Sequence, residues 1–354
     1  MSSKRLGFFT RLLDQGSAQQ RYRLATEQIA HAERAGFDSA WVAQHHFHED
    51  EGGLPSPLVF LAQVAARTRH IRLGTGVITL PMESAIRVAE DTAVLDLLSD
   101  GRLEVGIAAG GTPSSFSAFG FDAQQRHAVF TDNFNILLRA WRGEALGDET
   151  NRLYPAAPQL ADRVWQATFS VEGGERAGRA GDGLMLSRTQ PRPADTPDLP
   201  LDELQNPIID AYLAALPPGI APRIMGSRTA LVTDNGQLAR DFAAQGLGRG
   251  LERLRASGHR PSDESLDGLI RAFDVHLGSP DQVIASLQKD SALARVTDLA
   301  FQVHSIDPPH AHILRSIELI ARHVAPELGW QRRTPITVSY EHHAEERYDC
   351  TIEQ

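Results

Sequence analysis

The sequence predicts an α/β fold in which eight parallel strands and their helices form a (β/α)8 TIM barrel, with insertion loops at the C-terminal face of the strands. A length of 354 residues suits one such barrel, which occupies about 250 residues before insertions. Short β-branched or aromatic segments alternate with longer helical stretches, and eight strand segments can be counted. This alternation favours a parallel sheet with right-handed crossovers, and a doubly wound open sheet is the alternative.

The predicted elements follow one another in regular order along the chain. Predicted strands cover 6–10, 37–43, 72–81, 102–110, 164–170, 181–187, 223–233 and 297–303. Predicted helices cover 20–35, 57–69, 85–99, 122–142, a stretch from Glu172, 202–216, 279–289 and 309–324. Ser279 is expected to cap the helix that begins at Pro280.

One barrel domain is predicted over residues 1–330. Two segments exceed the minimal repeat: 188–204, rich in Pro and Arg, and 245–277, rich in Gly, Arg and charge. Both follow predicted strands, where βα loops build the active sites of barrels. The polar segment 331–354 is expected to be an extended or mobile tail.

Composition favours small-molecule partners. A net charge of -10 argues against nucleic acid, which attracts clustered Lys and Arg. No run reaches the roughly 20 apolar residues of a membrane span, and the N-terminus enters a predicted strand, so a cytoplasmic protein is expected. The single cysteine, Cys350, allows no intrachain disulfide and makes a cysteine nucleophile an unfavourable hypothesis.

The segment 41–53, WVAQHHFHEDEGG, places three histidines after the second predicted strand, at the catalytic end of a barrel. His45 and His46 are the candidate catalytic residues. Neighbours on a strand face opposite sides, so one of the two rings is expected to be structural. A metal site built from His45, His46 and His48 with the acidic residues 49–51 is the alternative.

Two segments are candidates for binding an anion. Ser170, Gly173 and Gly174 lie at a helix start after a strand, where backbone N–H groups can face a phosphate, although simple capping by Ser170 explains the pattern equally well. Arg126 early in the fourth helix can supply a positive fork. Arg188 and Arg192 are candidates for a phosphate or an acidic substrate, the alternative being a solvent-facing loop.

Glycines in two strands suggest close approach of another group. Gly74 and Gly76 interrupt the third strand, where either a flat ligand, another backbone or a bulge is expected. The segment 107–111, IAAGG, likewise has small or absent side chains at the end of the fourth strand. Because GxGxxG spacing is absent, no dedicated dinucleotide-binding domain is predicted.

Four segments together resemble the bacterial luciferase-like flavin monooxygenase family. They are 32–47, 69–81, 87–110 and 278–288, and the resemblance runs in order over residues 5–328. Several motifs in the correct sequence are more specific than any one of them. Segment 165–193 resembles a subgroup of this family whose members are assigned to flavin mononucleotide (FMN).

The resemblance implies a homodimeric barrel that binds FMN at the C-terminal ends of its strands. The isoalloxazine ring would lie over the third strand, so Thr75, Gly76 and Val77, with Ala108 opposite, are implied cofactor contacts. Gly76–Val77 is the implied site of a non-proline cis peptide. Arg126, Ser170, Gly173, Gly174 and Arg188 complete the candidate cofactor contacts.

The resemblance also assigns the catalytic role to His45, beside the flavin. The sequence departs from the family pattern at three positions. Gln44 replaces a glutamate, Ala108 replaces the reactive cysteine of true luciferases, and Ala109 replaces an arginine that assists the phosphate. Light emission is therefore not expected.

The resemblance implies an FMN-dependent monooxygenase that uses reduced flavin and dioxygen to oxygenate an unidentified small organic substrate. A separate flavin reductase, NAD(P)H-dependent, is the expected source of reduced FMN, since the chain has no dinucleotide fingerprint. His45 would donate or accept a proton. The alternatives are a deazaflavin-dependent hydride-transfer oxidoreductase, a non-catalytic flavin-binding protein and a metal hydrolase.

Overall fold

The computed structural model describes residues 3–110, 113–256, 261–303 and 308–332. Cys350 and residues 333–354 of the predicted tail lie outside the described residues. The described part of the chain contains these strands: β1 Arg5–Thr10, β2 Ser39–Val42, β3 Arg72–Thr75, β4 Ile78–Thr79, β5 Leu103–Ala108, β6 Val164–Ala167, β7 Gly183–Leu186, β8 Ile224–Val232, β9 Val275–Gly278 and β10 Asp298–Gln302.

Eight of these strands form a closed barrel. The ring runs β1, β2, β3, β5, β6, β7, β8 and β10, and β10 returns to β1 with Leu6 opposite Leu299. Every pairing is parallel. The predicted closed barrel is confirmed, and an open doubly wound sheet is excluded because such a sheet leaves two unpaired edges.

Helices surround the barrel, and each of the eight predicted helices has a counterpart at nearly the predicted position. They are α1 Ala18–Ala35, α2 Pro57–Ala65, α3 Ala85–Leu98, α4 Pro113–Ala118, α5 Arg126–Trp141, α6 Val171–Ala180, α7 Leu201–Ala215, α8 Gly236–Ala256, α9 Leu266–Ala272, α10 Pro280–Leu287, α11 Ser291–Arg295, α12 His310–Leu319 and α13 Ala325–Glu327. The predicted cap is confirmed, because the Ser279 hydroxyl accepts from the Gln282 N–H within a capping box.

Segment 245–277 differs from the predicted insertion loop. Its first part completes α8, and it also contains α9 and β9, which pairs with the upper half of β8. The Gly- and Arg-rich composition conceals a helical stripe, since Ala239, Ala243 and Leu247 recur every four residues and all are buried. By contrast, 188–200 has no helix or strand.

Two tryptophans fill the barrel interior. The Trp41 and Trp165 rings meet edge to face at 5.6 Å between centroids. A Cβ atom on Gly74 would lie 2.1 Å from the Trp41 ring, and one on Gly183 would lie 2.3 Å from the Trp165 ring. The group that approaches Gly74 is therefore the Trp41 ring inside the barrel, which corrects the expectation of a flat ligand or a backbone at this residue.

Ion pairs fill the interior at the N-terminal end of the barrel. Arg5 Nε lies 2.8 Å from Asp298 Oδ1, and Arg72 Nε lies 2.5 Å from Glu104 Oε1. The Trp165 indole donates to the same Glu104 carboxylate at 2.8 Å. Paired charges and the two tryptophans thus fill the barrel from below, so the residues that can meet a ligand lie at its C-terminal end.

Candidate functional site

The C-terminal ends of the strands bring the predicted site residues to one rim. His45 follows β2, Gly76 follows β3, Ala108 ends β5, and Arg188 follows β7. Ser170 follows β6 in the same way. Because parallel strands of a barrel all end at the same face, these residues lie on one face of the molecule, where barrel enzymes carry their active sites.

The third strand is interrupted at the predicted place. Gly76–Val77 is a non-proline cis peptide, as the resemblance implies. Beside it, the buried Thr75 hydroxyl donates to Gly106 O and accepts from Gly106 N–H, both at 2.9 Å. Because this hydroxyl bonds to β5, the cofactor contact predicted for Thr75 would have to be made by its backbone atoms.

Apolar side chains lie directly below this interruption. The Gly76 N–H donates to Val42 O at 2.7 Å, and a Cβ atom on Gly76 would lie 2.8 Å from the Phe9 ring. Phe9 and Val77 pack on the cluster that contains Trp41 and Trp165. The cis peptide therefore borders an apolar surface at the upper end of the barrel interior.

His45 is held between the ends of two strands. Arg11, immediately after β1, donates from Nε to His45 Nε2 at 3.3 Å, and His45 Nδ1 lies 3.9 Å from a Glu51 carboxylate oxygen. The ring also packs on Gly52, where a Cβ atom would lie 2.6 Å from it. Donation by arginine requires that Nε2 carry no proton, so the proton of the neutral ring is on Nδ1, facing Glu51.

His46 has different surroundings. Its ring meets Phe119 edge to face at 4.8 Å and lies 5.8 Å from Phe47. Burial lowers the pKa of His46, and its Nε2 atom is buried without a hydrogen-bond partner among the described residues. The two rings therefore diverge as strand alternation predicts, although β2 has already ended at Val42.

The hydrogen bonds of Gln44 explain why an amide stands here in place of the family's glutamate. Its amide oxygen accepts from the Thr79 N–H at 2.7 Å, and its amide nitrogen donates to Glu83 Oε1 at 2.6 Å and to Pro55 O at 3.1 Å. Burial raises the pKa of Glu83. An amide satisfies both kinds of partner, whereas an ionised carboxylate at this position would oppose Glu83 and could only accept.

The start of α6 supports capping by Ser170. The Ser170 hydroxyl accepts from the Gly173 N–H at 3.1 Å, and the Ser170 carbonyl accepts from the Gly174 N–H at 3.1 Å. Cβ atoms on the two glycines would lie 2.0 Å from Thr168 and 2.6 Å from the Ile208 carbonyl. Both glycines thus serve close packing, and no described residue accepts from the Val171 and Glu172 N–H groups, which remain the donors for an anion.

Three basic side chains lie between α5 and α6. Arg126 Nη1 donates to Ala123 O, and Arg176 lies over the Phe130 ring at 5.3 Å. Burial and the charges of Arg126 and Arg176 lower the pKa of His127. Neither arginine forms an ion pair in the described part of the chain, so positive charge accumulates beside the α6 N-terminus.

The predicted pair Arg188 and Arg192 separates into two roles. Arg192 is buried and donates to Asp274 Oδ1 at 2.5 Å and to two carbonyl groups, so it fixes the loop rather than facing solvent or a ligand. Arg188 donates to the Thr229 hydroxyl at 3.3 Å. Burial lowers the pKa of Arg188 to about 10 despite the nearby charge of Asp274.

The metal and membrane alternatives find no support in the described part of the chain. The structure shows no group of three His, Cys, Asp or Glu side chains that could hold a metal ion within residues 3–110, 113–256, 261–303 and 308–332. His45, His46 and His48 therefore do not form such a group. No helix within these ranges is long and apolar enough to cross a bilayer. A cytoplasmic location stays a prediction.

The comparisons with known proteins define the class. The family model for luciferase-like monooxygenases matches residues 6–296, and the chain belongs to this family. Limonene 1,2-monooxygenase of Rhodococcus erythropolis is 31% identical over 176 residues, covering 47% of this chain and 44% of that protein. The oxygenase component of flavin-dependent trigonelline monooxygenase from Acinetobacter baylyi is 30% identical over 136 residues, 38% of each chain. The matched stretches span about half or less of these curated relatives.

Solved structures extend the similarity over the barrel. The monooxygenase RslO1 of Streptomyces bottropensis has a TM-score of 0.73 and 26% identity, covering 91% of this chain and 99% of that chain. The FMN complex of the oxygenating constituent of 3,6-diketocamphane monooxygenase from Pseudomonas putida has a TM-score of 0.71, with 20% identity over 92% of this chain and 98% of that chain. A coenzyme F420 dependent reductase from Methanopyrus kandleri reaches 0.66, with 17% identity over 92% of this chain and 100% of that chain. The last two likenesses show the fold alone.

Sequence reasoning missed several residues of the rim. Arg11, the partner of His45, stands directly after the first strand, and that position is a usable signal for a barrel. Arg176 carried no signal, since a lone arginine in a helix is usually solvated. Ser227 and Thr229 lie within a predicted strand, and nothing in the sequence marks them as site residues.

Proposed function

We propose that the protein is an FMN-dependent monooxygenase that uses reduced FMN and dioxygen to oxygenate a small organic substrate. The observation that carries this proposal is membership of the luciferase-like monooxygenase family over 6–296, combined with His45 and the cis Gly76–Val77 peptide at the ends of the neighbouring strands β2 and β3. Relatives named as flavin-dependent or as monooxygenases support the same assignment.

The residues at the rim fit FMN. An apolar surface at Phe9 and Val77 suits the flat ring system, and it borders the cis peptide. The phosphate would be held by Arg126 and by the N–H groups of Val171 and Glu172 at the start of α6, which suit an anion. Arg176, whose Nε donates to Gln166 Oε1 at 2.9 Å, would add positive charge near this position in place of the arginine replaced by Ala109.

When bound, reduced FMN would supply the two electrons for the reaction with dioxygen, in which one oxygen atom would enter the substrate and the other would leave as water. The chain orients the reactants and controls protons. His45 holds a proton at Nδ1, on the side of Glu51, and Arg11 fixes the orientation of the ring by donating to Nε2. Phe47 and Phe119, which contact each other beside His46, present exposed apolar rings at the rim.

A separate NAD(P)H-dependent flavin reductase is the proposed partner, because the chain carries no dinucleotide fingerprint of its own. The relative from Acinetobacter baylyi is named as an oxygenase component, which supports a two-component system. The organic substrate and dioxygen complete the proposed set of partners.

Titration of the purified chain tests the cofactor. We expect reduced FMN to bind more tightly than riboflavin, and reduced F420 to bind weakly. Arg126→Met should weaken FMN binding about tenfold or more, since a charge-assisted hydrogen bond to phosphate is lost, and should leave riboflavin binding unchanged.

Arg139→Met is the matched control, because Arg139 lies at the far end of the same helix in an exposed pair with Glu144. Tight binding of F420 without FMN would replace the monooxygenase by a hydride-transfer enzyme. Binding of no flavin would contradict both.

A homodimer is also proposed. Exposed apolar side chains occur on the neighbouring helices α2 and α3: Val59, Val94, Leu97 and Leu98. A second copy of the chain would cover them. We expect light scattering to give twice the chain mass for the native protein and the chain mass for Leu97→Asp. Ile220→Asp, at an exposed apolar site before β8, should remain dimeric, and a monomeric native protein would contradict the proposal.

A further inference from the structure

The upper interior of the barrel contains polar side chains on β8 that are not among the contacts proposed for FMN. Met225 faces the interior, where it packs with the two tryptophans. Gly226 and Arg228 face outward, against Leu293 and Asp290. Since strand side chains alternate, Ser227 and Thr229 face the interior above Met225.

Arg188 brings a positive charge to this part of the interior. Its guanidinium reaches inward from the end of β7 and donates to the Thr229 hydroxyl at 3.3 Å. Within the described ranges it forms no ion pair. The nearby carboxylate of Asp274 is bonded to Arg192 at 2.5 Å. One carboxylate thus faces two guanidinium groups, which leaves an uncompensated positive charge inside the rim.

Ser227 adds a hydroxyl without a partner. The side chain is 6% exposed, and its Oγ atom makes no hydrogen bond to any described residue. Burying a hydroxyl without a partner is unfavourable, so such groups usually meet water or a ligand. An unpaired hydroxyl below a buried cation is the arrangement expected of an anion subsite.

We propose that Arg188, Thr229 and Ser227 form a subsite that binds an anionic oxygen of the organic substrate, such as a carboxylate. The inference rests on the proposed function and adds a substrate class to it. The phosphate of FMN is expected at Arg126 and α6, beside β5 and β6, so a second anion is needed at β7 and β8. The reduced flavin ring, which also carries negative charge, is the other source of that anion.

Binding of a carboxylate probe to the FMN-loaded chain tests the subsite. We expect benzoate to perturb the FMN absorbance with an affinity at least about tenfold higher than that of benzamide, because benzamide lacks the charge. Arg188→Met should abolish this preference, and Thr229→Val should reduce it about threefold. Arg179→Met, in an exposed pair with Glu175, should preserve it.

The outcomes separate the two sources of charge. If Arg188→Met shifts the midpoint potential of bound FMN and leaves benzoate affinity unchanged, the anion is the reduced ring and the substrate assignment is overturned. Equal affinities for benzoate and benzamide, or no binding of either, also overturn it.

Two further measurements keep the test decisive. Should Arg188→Met fail to fold, Thr229→Val and Ser227→Ala decide by the same ratio, since they change only a hydroxyl. If the native chain binds no flavin, the proposed function fails on that result alone. Calorimetry of benzoate binding to the flavin-free chain then tests the subsite separately.

Discussion

Gly106→Ala is expected to destabilise the barrel strongly. The added Cβ atom would lie 2.1 Å from the Thr75 carbonyl oxygen and 2.9 Å from Met185 Sδ. The carbonyl belongs to the backbone of β3, so a change of rotamer cannot relieve the contact. We expect a loss of at least about 3 kcal/mol in unfolding free energy, measured by denaturant titration.

Gly248→Ala is the matched control for this experiment. Gly248 lies within α8, and a Cβ atom there would meet nothing within 4 Å. Alanine should therefore leave stability unchanged or raise it by about 0.5–1 kcal/mol, through the helix propensity that glycine lacks. Equal stability of the two variants would show that β3 and β5 separate easily beside the cis peptide.

His45→Ala is expected to slow product formation about a hundredfold or more, because general acid–base groups contribute effects of about 10²–10⁴. The affinity for reduced FMN should change less than about threefold, since the phosphate contacts remain. Product formation per chain and flavin titration measure the two quantities separately. The rate measurement uses a substrate found by screening for oxygenated product.

His48→Ala provides the comparison, because His48 belongs to the same loop and faces solvent. It should retain most of the activity. A similar loss in both variants would assign the effect to loop order, and a collapse of flavin affinity in His45→Ala would make His45 a binding residue.

The barrel was predictable because its signals are local and repeated. Each strand is a short apolar run, and Ser279 shows how a cap fixes a helix boundary within a few residues. The cis peptide at Gly76–Val77 came from the family resemblance alone. The missed elements α8, α9 and β9 have compositions typical of loops, and burial of the apolar stripe of α8 decides its structure.

The site was predictable only as a set of strand ends. His45 and Arg188 follow strands, and the barrel brings such ends together. Their partners were not predictable, because Arg11 lies 34 residues from His45 and Thr229 lies 41 residues from Arg188. The glycines after Ser170 also show that one pattern can serve packing as well as ligand binding.

The Thr75 hydroxyl takes the place of a backbone pairing with Gly106. The two sides of the rim therefore differ in how freely their residues can be substituted. On the side of β2, β3 and β5, side chains form hydrogen bonds that backbone groups form in a regular sheet. A substitution at one of these positions therefore requires a compensating substitution at its partner. On the side of β7, residues 188–200 carry no regular structure. New specificities can therefore be engineered, and can have arisen in evolution, in that loop while the opposite half is left untouched.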